Sequence, residues 1–294
     1  MSTFRLLLVI GLVIIGIRLY SATYYVDGEN QNASDANTGT EAQPWATIGK
    51  AASTLTAGDT VYIKQGTYSI TSAITPANSG NANAYIIYSS WPDNTGVVVI
   101  DGTDCPLLYS GNVYYGLMRI LGKSYIKILG LKFVNSRYAG IWTNGDNIII
   151  KGNKTYQTAS SGVQVWGGLN TIVDGNEIER GCWDYRTNGL SGGIHECISI
   201  LASNHVDVLN NHVYDSGYTT SGYGKEGIDI KNACTNVRVY NNYVHDTTSI
   251  GIYLDARGDE ENIDIFNNTI SDCDSDGIVV ATENDAGTLK KIRV

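Results

Sequence analysis

Glu226, Asp229 and Lys231 share one short run of the 294-residue chain, "GKEGIDIKNA" from Gly224. Strict alternation from Gly227 sends Ile228 and Ile230 to one face of an extended segment and Asp229 and Lys231 to the other. Several chemistries are open to such a set. A lysine beside carboxylates can form a salt bridge, worth about 0–1 kcal/mol at a surface. Carboxylates brought to the spacing of neighbouring strands, about 4.8 Å, repel one another unless a cation joins them. Oxygen-rich clusters of that kind suit Ca²⁺. A lysine whose pKa is lowered by a nearby cation becomes a general base. A single strand of this composition is merely a solvated face, but this one has siblings along the chain.

Five segments share its neighbourhood pattern: "NIIIKGNKT" from Asn147, "NTIVDGNEI" from Asn170, "HVDVLNNHV" from His205, "NVRVYNNYV" from Asn236 and "NIDIFNNTI" from Asn262. Each is a short alternating strand, a Gly-Asn or Asn-Asn corner and a second short strand. The corner asparagines Asn153, Asn176, Asn211, Asn242 and Asn268 are spaced 23, 35, 31 and 26 residues apart. A second series interleaves, beginning at Gly140, Gly162, Cys197, Gly227, Gly251 and Gly277. Three short strands per period predict an all-β chain wound as a parallel β-helix, whose stacked coils share one narrow core. Asn suits the corners because it tolerates left-handed backbone and its amide reaches the equivalent Asn one coil away. The excess length falls at Arg180 to His195 and Ser216 to Lys225, as expected of loops on one face.

The ends differ from the repeat. Arg5, the apolar run Leu6 to Ile17 and Ser21-Ala22 have the layout of a secretory signal peptide over residues 1–22, with an uncleaved anchor as the alternative. Residues 23–294 are then one exported domain, secreted or at the cell surface. Pro44 to Leu55 carries apolar residues at helical spacing and predicts a short helix capping the N-terminal end of the solenoid. "GTLKKIRV" begins another strand and stops, so further coils are expected beyond it. A net charge of −9 and no basic stripe argue against a nucleic-acid partner. Five cysteines are too few for a disulfide scaffold; core thiols or one or two isolated bridges are expected, in a monomer.

With Cys197, Gly227 and Gly251 in register, outward positions form columns. Glu196 stacks with Glu226 and Ile250, Ser199 with Asp229 and Tyr253, Leu201 with Lys231 and Asp255. Trp142, Asn144, Gln164 and Trp166 precede them on the same face, which is expected to look onto water. Lys231 then neighbours Asp255 one coil on, and Arg257 at the strand end can offer a bidentate fork to a carboxylate. Of the four histidines, only His195, beside Glu196, is placed near this strip; His212 and His245 match one another only loosely.

The run "GTEAQPWATIGKAASTLTAGDTVYIKQGTY" resembles the N-terminal cap and first coil of secreted right-handed parallel β-helix proteins of the pectin-lyase-like superfamily, which includes family 9 polysaccharide lyases. The core from His195 to Gly258 resembles right-handed β-helix repeat proteins. Chondroitinase B and the alginate lyases of family 6 carry a glutamate five residues before a catalytic lysine, and Glu226 and Lys231 have that spacing. The similarity implies Glu226 as a Ca²⁺ ligand, Lys231 as base and Arg257 as its partner. This strand reads "GIDIKN" where that family has a serine-bearing run, and Arg257 comes somewhat late. The expectation is a lyase cleaving an acidic, uronate-containing polysaccharide by β-elimination, with Ca²⁺ at Glu196, Glu226 and Asp229. Lys231 and Arg257 would be catalytic, and Trp142, Trp166, Tyr253, Asp255 and His195 would bind substrate. Two other readings stand beside it: a non-catalytic carbohydrate-binding β-helix, and a glycoside hydrolase using Glu226 and Asp255 as paired carboxylates.

Overall fold

The computed structural model describes residues 21–106, 116–183, 196–217, 224–283 and 287–294, and the backbone alone of 109–110 and 113–114. The signal-peptide reading of residues 1–22 therefore falls almost wholly outside the described residues. Among those described, no helix is long and apolar enough to cross a membrane.

The chain is a parallel β-helix. From Met118 to Cys273 each coil contributes one strand to each of three sheets, of ten, eight and seven strands, and within these sheets every strand pairs in parallel with the next coil's. The coil from Val163 shows the plan: Val163–Trp166, then Leu169–Asp174, then Glu177–Glu179. The next coil repeats it with Ile198–Leu201, Asn204–Leu209 and His212–Ser216. After it come Ile228–Lys231, Thr235–Tyr240 and Tyr243–Thr247. Both long insertions fall at one corner, where the chain leaves the third strand of a coil and enters the first strand of the next.

Alternation places Val163, Val165, Ile198, Ile200, Ile228, Ile230, Ile252 and Leu254 inside, all with no exposure to solvent. Burial of this continuous apolar stack is the main stabilising contribution, at about 25 cal/mol per Å² removed from water. The glycines that open the first strand of most coils share a steric cause. A Cβ on Gly227 would lie 2.4 Å from Val244 Cγ1 and 2.6 Å from Gly251 O, so the corner closes only around hydrogen.

The second corner is held by the asparagines. Asn176 Oδ1 accepts from Asn153 N at 2.9 Å and from Asn153 Nδ2 at 3.1 Å, while Asn176 Nδ2 donates to Ile150 O at 2.9 Å. Asn211, Asn242 and Asn268 continue the pattern coil by coil. The expected amide ladder is present, but the left-handed backbone belongs to the preceding residue. Gly152, Gly175, Asn210, Asn241 and Asn267 have φ between 53° and 64°, and the ladder asparagines do not.

The capping helix is shorter than expected, Ile48–Thr54, with Thr47 Oγ1 accepting from Lys50 N as its N-cap. It buries Ile48, Ala51 and Ala52 and packs near the end strand Thr23–Val26. Trp45, just before it, stacks on Tyr24 with ring centroids 4.6 Å apart.

Candidate active site

The sheet made from the first strand of each coil carries the candidate site. Its register is the one expected: Gln164 pairs with Ser199, Ser199 with Asp229, and Asp229 with Tyr253. In the adjoining column Trp166 pairs with Leu201, Leu201 with Lys231, and Lys231 with Asp255. Glu196 and Glu226 lie just before these strands, where Cys197 N donates to Glu226 O at 2.9 Å.

The expectation of a face open to water is corrected. Glu196, Glu226, Asp229, Lys231 and Asp255 are 3%, 7%, 1%, 5% and 1% exposed. Ile198–Leu201 and Ile228–Lys231 are buried on both sides. Period alone shows only which face turns away from the coil interior. What lies over that face comes in part from corner residues just before the first strands, such as Tyr138 and Ser249. Trp142 is buried too, at 2%, and so does not present a flat face to a ligand; Trp166 and Tyr253 are half-buried. His195 lies outside the described residues.

Lys231 sits between two carboxylates. Its Nζ lies 2.5 Å from Glu196 Oε1 and 2.7 Å from Asp229 Oδ2. This corrects the pairing with Asp255, which instead holds Arg257 Nε at 2.8 Å. It also reverses the expected direction of the lysine pKa. Burial pulls the Lys231 pKa down, but Asp229 and Glu196 outweigh it and hold the group as an ammonium. Ser199 Oγ donates to Glu196 Oε2 at 2.8 Å, completing that carboxylate's contacts.

Glu226 is different. Ser249 Oγ reaches its Oε1 only at 3.4 Å, and burial, followed by repulsion from Glu196, pushes its pKa up to about 7. Burial likewise raises Asp255, opposed by Arg257 and reinforced by Glu283. Arg257 is half-exposed and also meets Glu283 Oε2 at 2.6 Å, while Tyr253 donates its hydroxyl to Glu283 Oε1 at 3.1 Å. Among the described residues, three buried carboxylate oxygens have no hydrogen-bond partner: Glu226 Oε2, Asp229 Oδ1 and Asp255 Oδ1. Orphaned buried oxygens cost roughly 1–3 kcal/mol each, and more when charged, so they mark a place kept for something else.

Whether Ca²⁺ fits can be judged from these groups. Among the described residues, no three His, Cys, Asp or Glu side chains already stand in a metal-holding arrangement. The donor chemistry nonetheless suits a hard cation: the donors are all oxygen, they carry an excess of negative charge, and three oxygens lack partners. The position between Glu196 and Asp229 is occupied by the Lys231 ammonium.

Sequence reasoning missed Tyr138, which is buried beside the strip. Its hydroxyl accepts from Gln164 Nε2 at 3.4 Å, and burial pushes its pKa up to about 12. Tyr138 lies two residues before Gly140, the position that Ser160, Lys225, Ser249 and Ser275 take in later coils, so the register could have placed it, but a column of such mixed residue types carries no pattern of its own. Glu260 was missed as well. It is fully buried and accepts from Ala233 N at 2.8 Å and Cys234 N at 2.5 Å, binding a corner together. His212 and His245 stand closer than expected, with their Nε2 atoms 2.8 Å apart on the third sheet, away from the site.

Comparison with known proteins adds the wider setting. The family described as "Pel9A-like, right handed beta helix region" matches residues 24–193, and "Right handed beta helix region" matches residues 120–290. A pectate lyase, PEL9 of Emericella nidulans, is 27% identical over 172 residues, covering 56% of this chain and 42% of the relative. The chain thus spans less than half the length of that relative. The crystal structure of pectate lyase Pel9A superposes with a TM-score of 0.58 at 15% identity, covering 92% of this chain and 79% of that one. XylC in complex with xylose gives the same TM-score at 13% identity, covering 91% and 68%. At such identities the structural likeness speaks for the fold.

Proposed function

The chain belongs to the Pel9A-like right-handed β-helix family, and from that premise we propose that it cleaves a uronate-containing polysaccharide by β-elimination. A carbohydrate-active β-helix protein is the setting; the reaction and the residues that perform it are our reading. The observation that carries it is Lys231, whose ammonium contacts both Glu196 and Asp229, beside three carboxylate oxygens without hydrogen-bond partners among the described residues.

The reaction removes the proton α to the uronate carboxylate and breaks the bond from the β carbon to the glycosidic oxygen. That proton is poorly acidic until the carboxylate is neutralised. Glu196, Glu226 and Asp229 would hold Ca²⁺, which would supply that neutralisation. Lys231 would accept the proton at Nζ after giving up the one that Asp229 and Glu196 hold on it in this structure. Arg257 lies at the same strand's downstream neighbour, half-exposed and fixed by Asp255 and Glu283, where its fork can take a second substrate carboxylate. Trp166 and Tyr253 flank the strip with partly open rings suited to sugar faces. The electrons of the broken C–H bond form the new double bond, and the departing oxygen takes a proton from solvent.

One observation favours a hydrolytic reading. Glu226, with a pKa of about 7, keeps a proton near neutrality as a general acid must, and Asp255 would serve as its partner carboxylate. Incubating the protein with pectate, alginate and glycosaminoglycans separates the readings. Ultraviolet absorbance from an unsaturated product that disappears in Lys231→Ala is the expected result. New reducing ends without that absorbance would instead favour hydrolysis. Binding without either product would leave a non-catalytic carbohydrate-binding protein.

A further inference from the structure

Cys197 is an exception in its own column. The equivalent positions are Gly140, Gly162, Gly227, Gly251 and Gly277, and at Gly227 and Gly251 a Cβ would come within 2.4–2.5 Å of a side chain on the third sheet. Cys197 finds room because Gly181, beside it, has no side chain: a Cβ there would lie 2.7 Å from Cys197 Sγ. The next residue in sequence is Cys182. Its thiol is in hydrogen-bond contact with that of Cys197, and both are buried, at 1% and 0% exposure.

The backbones of the two cysteines are tied to one short segment of the preceding coil. Cys182 N donates to Ser160 O at 2.7 Å, and Cys197 O accepts from Gly162 N at 2.9 Å and Val163 N at 3.2 Å. Thiols in hydrogen-bond contact, on backbones held to the same four-residue turn, are placed for a disulfide to close between them. Cys234 is used differently, with its Sγ donating to Ile200 O and Lys231 O at 3.5 and 3.3 Å.

We propose that Cys182 and Cys197 are a modification site, joined as a disulfide when the protein matures in an oxidising compartment. The oxidant is the disulfide of a thiol oxidoreductase. Two thiol protons and two electrons leave the cysteines as their Sγ–Sγ bond forms, and the oxidoreductase's S–S bond is reduced to two thiols. Because both thiols are buried away from a partner oxidoreductase in the folded chain, the bond forms during folding rather than afterwards. Its place gives it a consequence for the strip described above. Cys197 directly follows Glu196, so the bond fastens the backbone carrying the carboxylate that holds Lys231.

The test is independent of the enzymatic reading. The full chain is produced once in an oxidising compartment and once in a reducing one, alkylated under denaturing conditions and digested without reductant. The oxidised protein is expected to yield one joined peptide pair containing Cys182 and Cys197, two hydrogens lighter than the separate peptides. Reductant should lower its melting temperature by roughly 5–10 °C, as expected for closing a loop of about 15 residues in a domain of this size. The double variant C182A/C197A should melt near the reduced wild type and ignore reductant. Full alkylation of both cysteines in the oxidised preparation, or a bridge to another cysteine, would overturn the proposal. A melting temperature in the double variant that still responds to reductant would do the same.

Discussion

Two buried polar columns run along this solenoid, and they are built on opposite terms. In the asparagine ladder each internal amide gives and accepts along the stack, so burial leaves nothing unpaired. In the acidic strip Lys231 satisfies Glu196 and one oxygen of Asp229, while Glu226, Asp229 and Asp255 each keep an oxygen without a partner. A satisfied network stiffens a fold, whereas an unsatisfied one spends stability on readiness to bind. The ladder serves architecture; the strip, on our reading, serves chemistry.

The largest effect expected is that of Lys231→Ala. It should reduce formation of unsaturated product by about 10²–10⁴-fold, measured as initial rate on the preferred polyuronate. It should also cost roughly 3–5 kcal/mol in urea unfolding, because two buried carboxylates lose their cation. A loss below about 1 kcal/mol would show that the pair behaves as a surface bridge and would erase the contrast with the ladder.

Asn211→Ala comes next. It removes the acceptor for Asn176 N and the donor to Val173 O, so roughly 2–4 kcal/mol should be lost with no change in rate per folded molecule. A fall in specific activity without loss of stability would contradict the division of labour between the columns.

A pH series sharpens the comparison further. Glu226 and Glu260 both have pKa values raised to about 7, chiefly by burial. A raised carboxyl pKa means the folded state binds the proton more tightly, so this stabilisation is complete below the ordinary carboxylate range and is lost as pH rises through about 7. Unfolding free energy should therefore decline between about pH 4.5 and 7. Glu226→Gln should flatten part of that decline and stabilise the protein at pH 8 by up to about 3 kcal/mol. Added Ca²⁺ should stabilise the wild type at pH 8 and do much less for the variant. The smallest effect belongs to the outer ladder of ion pairs: breaking Arg238–Asp207 with Arg238→Gln should change stability by about 1 kcal/mol or less, since Arg238 is half-exposed.

Much of this architecture was legible in the residues. Repeated Asn corners and the glycine column announced the coils, and the same register brought Glu196, Glu226, Asp229, Lys231 and Asp255 into one neighbourhood, as the strand pairing bears out. Burial was not legible. An outward face reads the same whether water or a corner residue lies over it, and the corner column of Tyr138, Ser160, Lys225, Ser249 and Ser275 mixes residue types too freely to announce itself. The choice of Asp229 over Asp255 as partner for Lys231 was equally hidden. Cross-strand neighbours lie about 4.8 Å apart, and a four-carbon side chain can turn to any of several oxygens at that range. The tryptophan at 142 failed as a sugar platform for the same reason as the strip failed to face water.

The asparagine stack occupies one corner of each coil, and both long insertions enter at another. Length and composition can therefore change at that entry point while every amide rung stays at its own height. Grafting a longer or differently charged segment in place of residues 184–195 would leave Cys182, Glu196 and every ladder asparagine as they are. A scaffold of this kind lets ligand preference diverge by exchange of parts, with the backbone serving as a fixed rack.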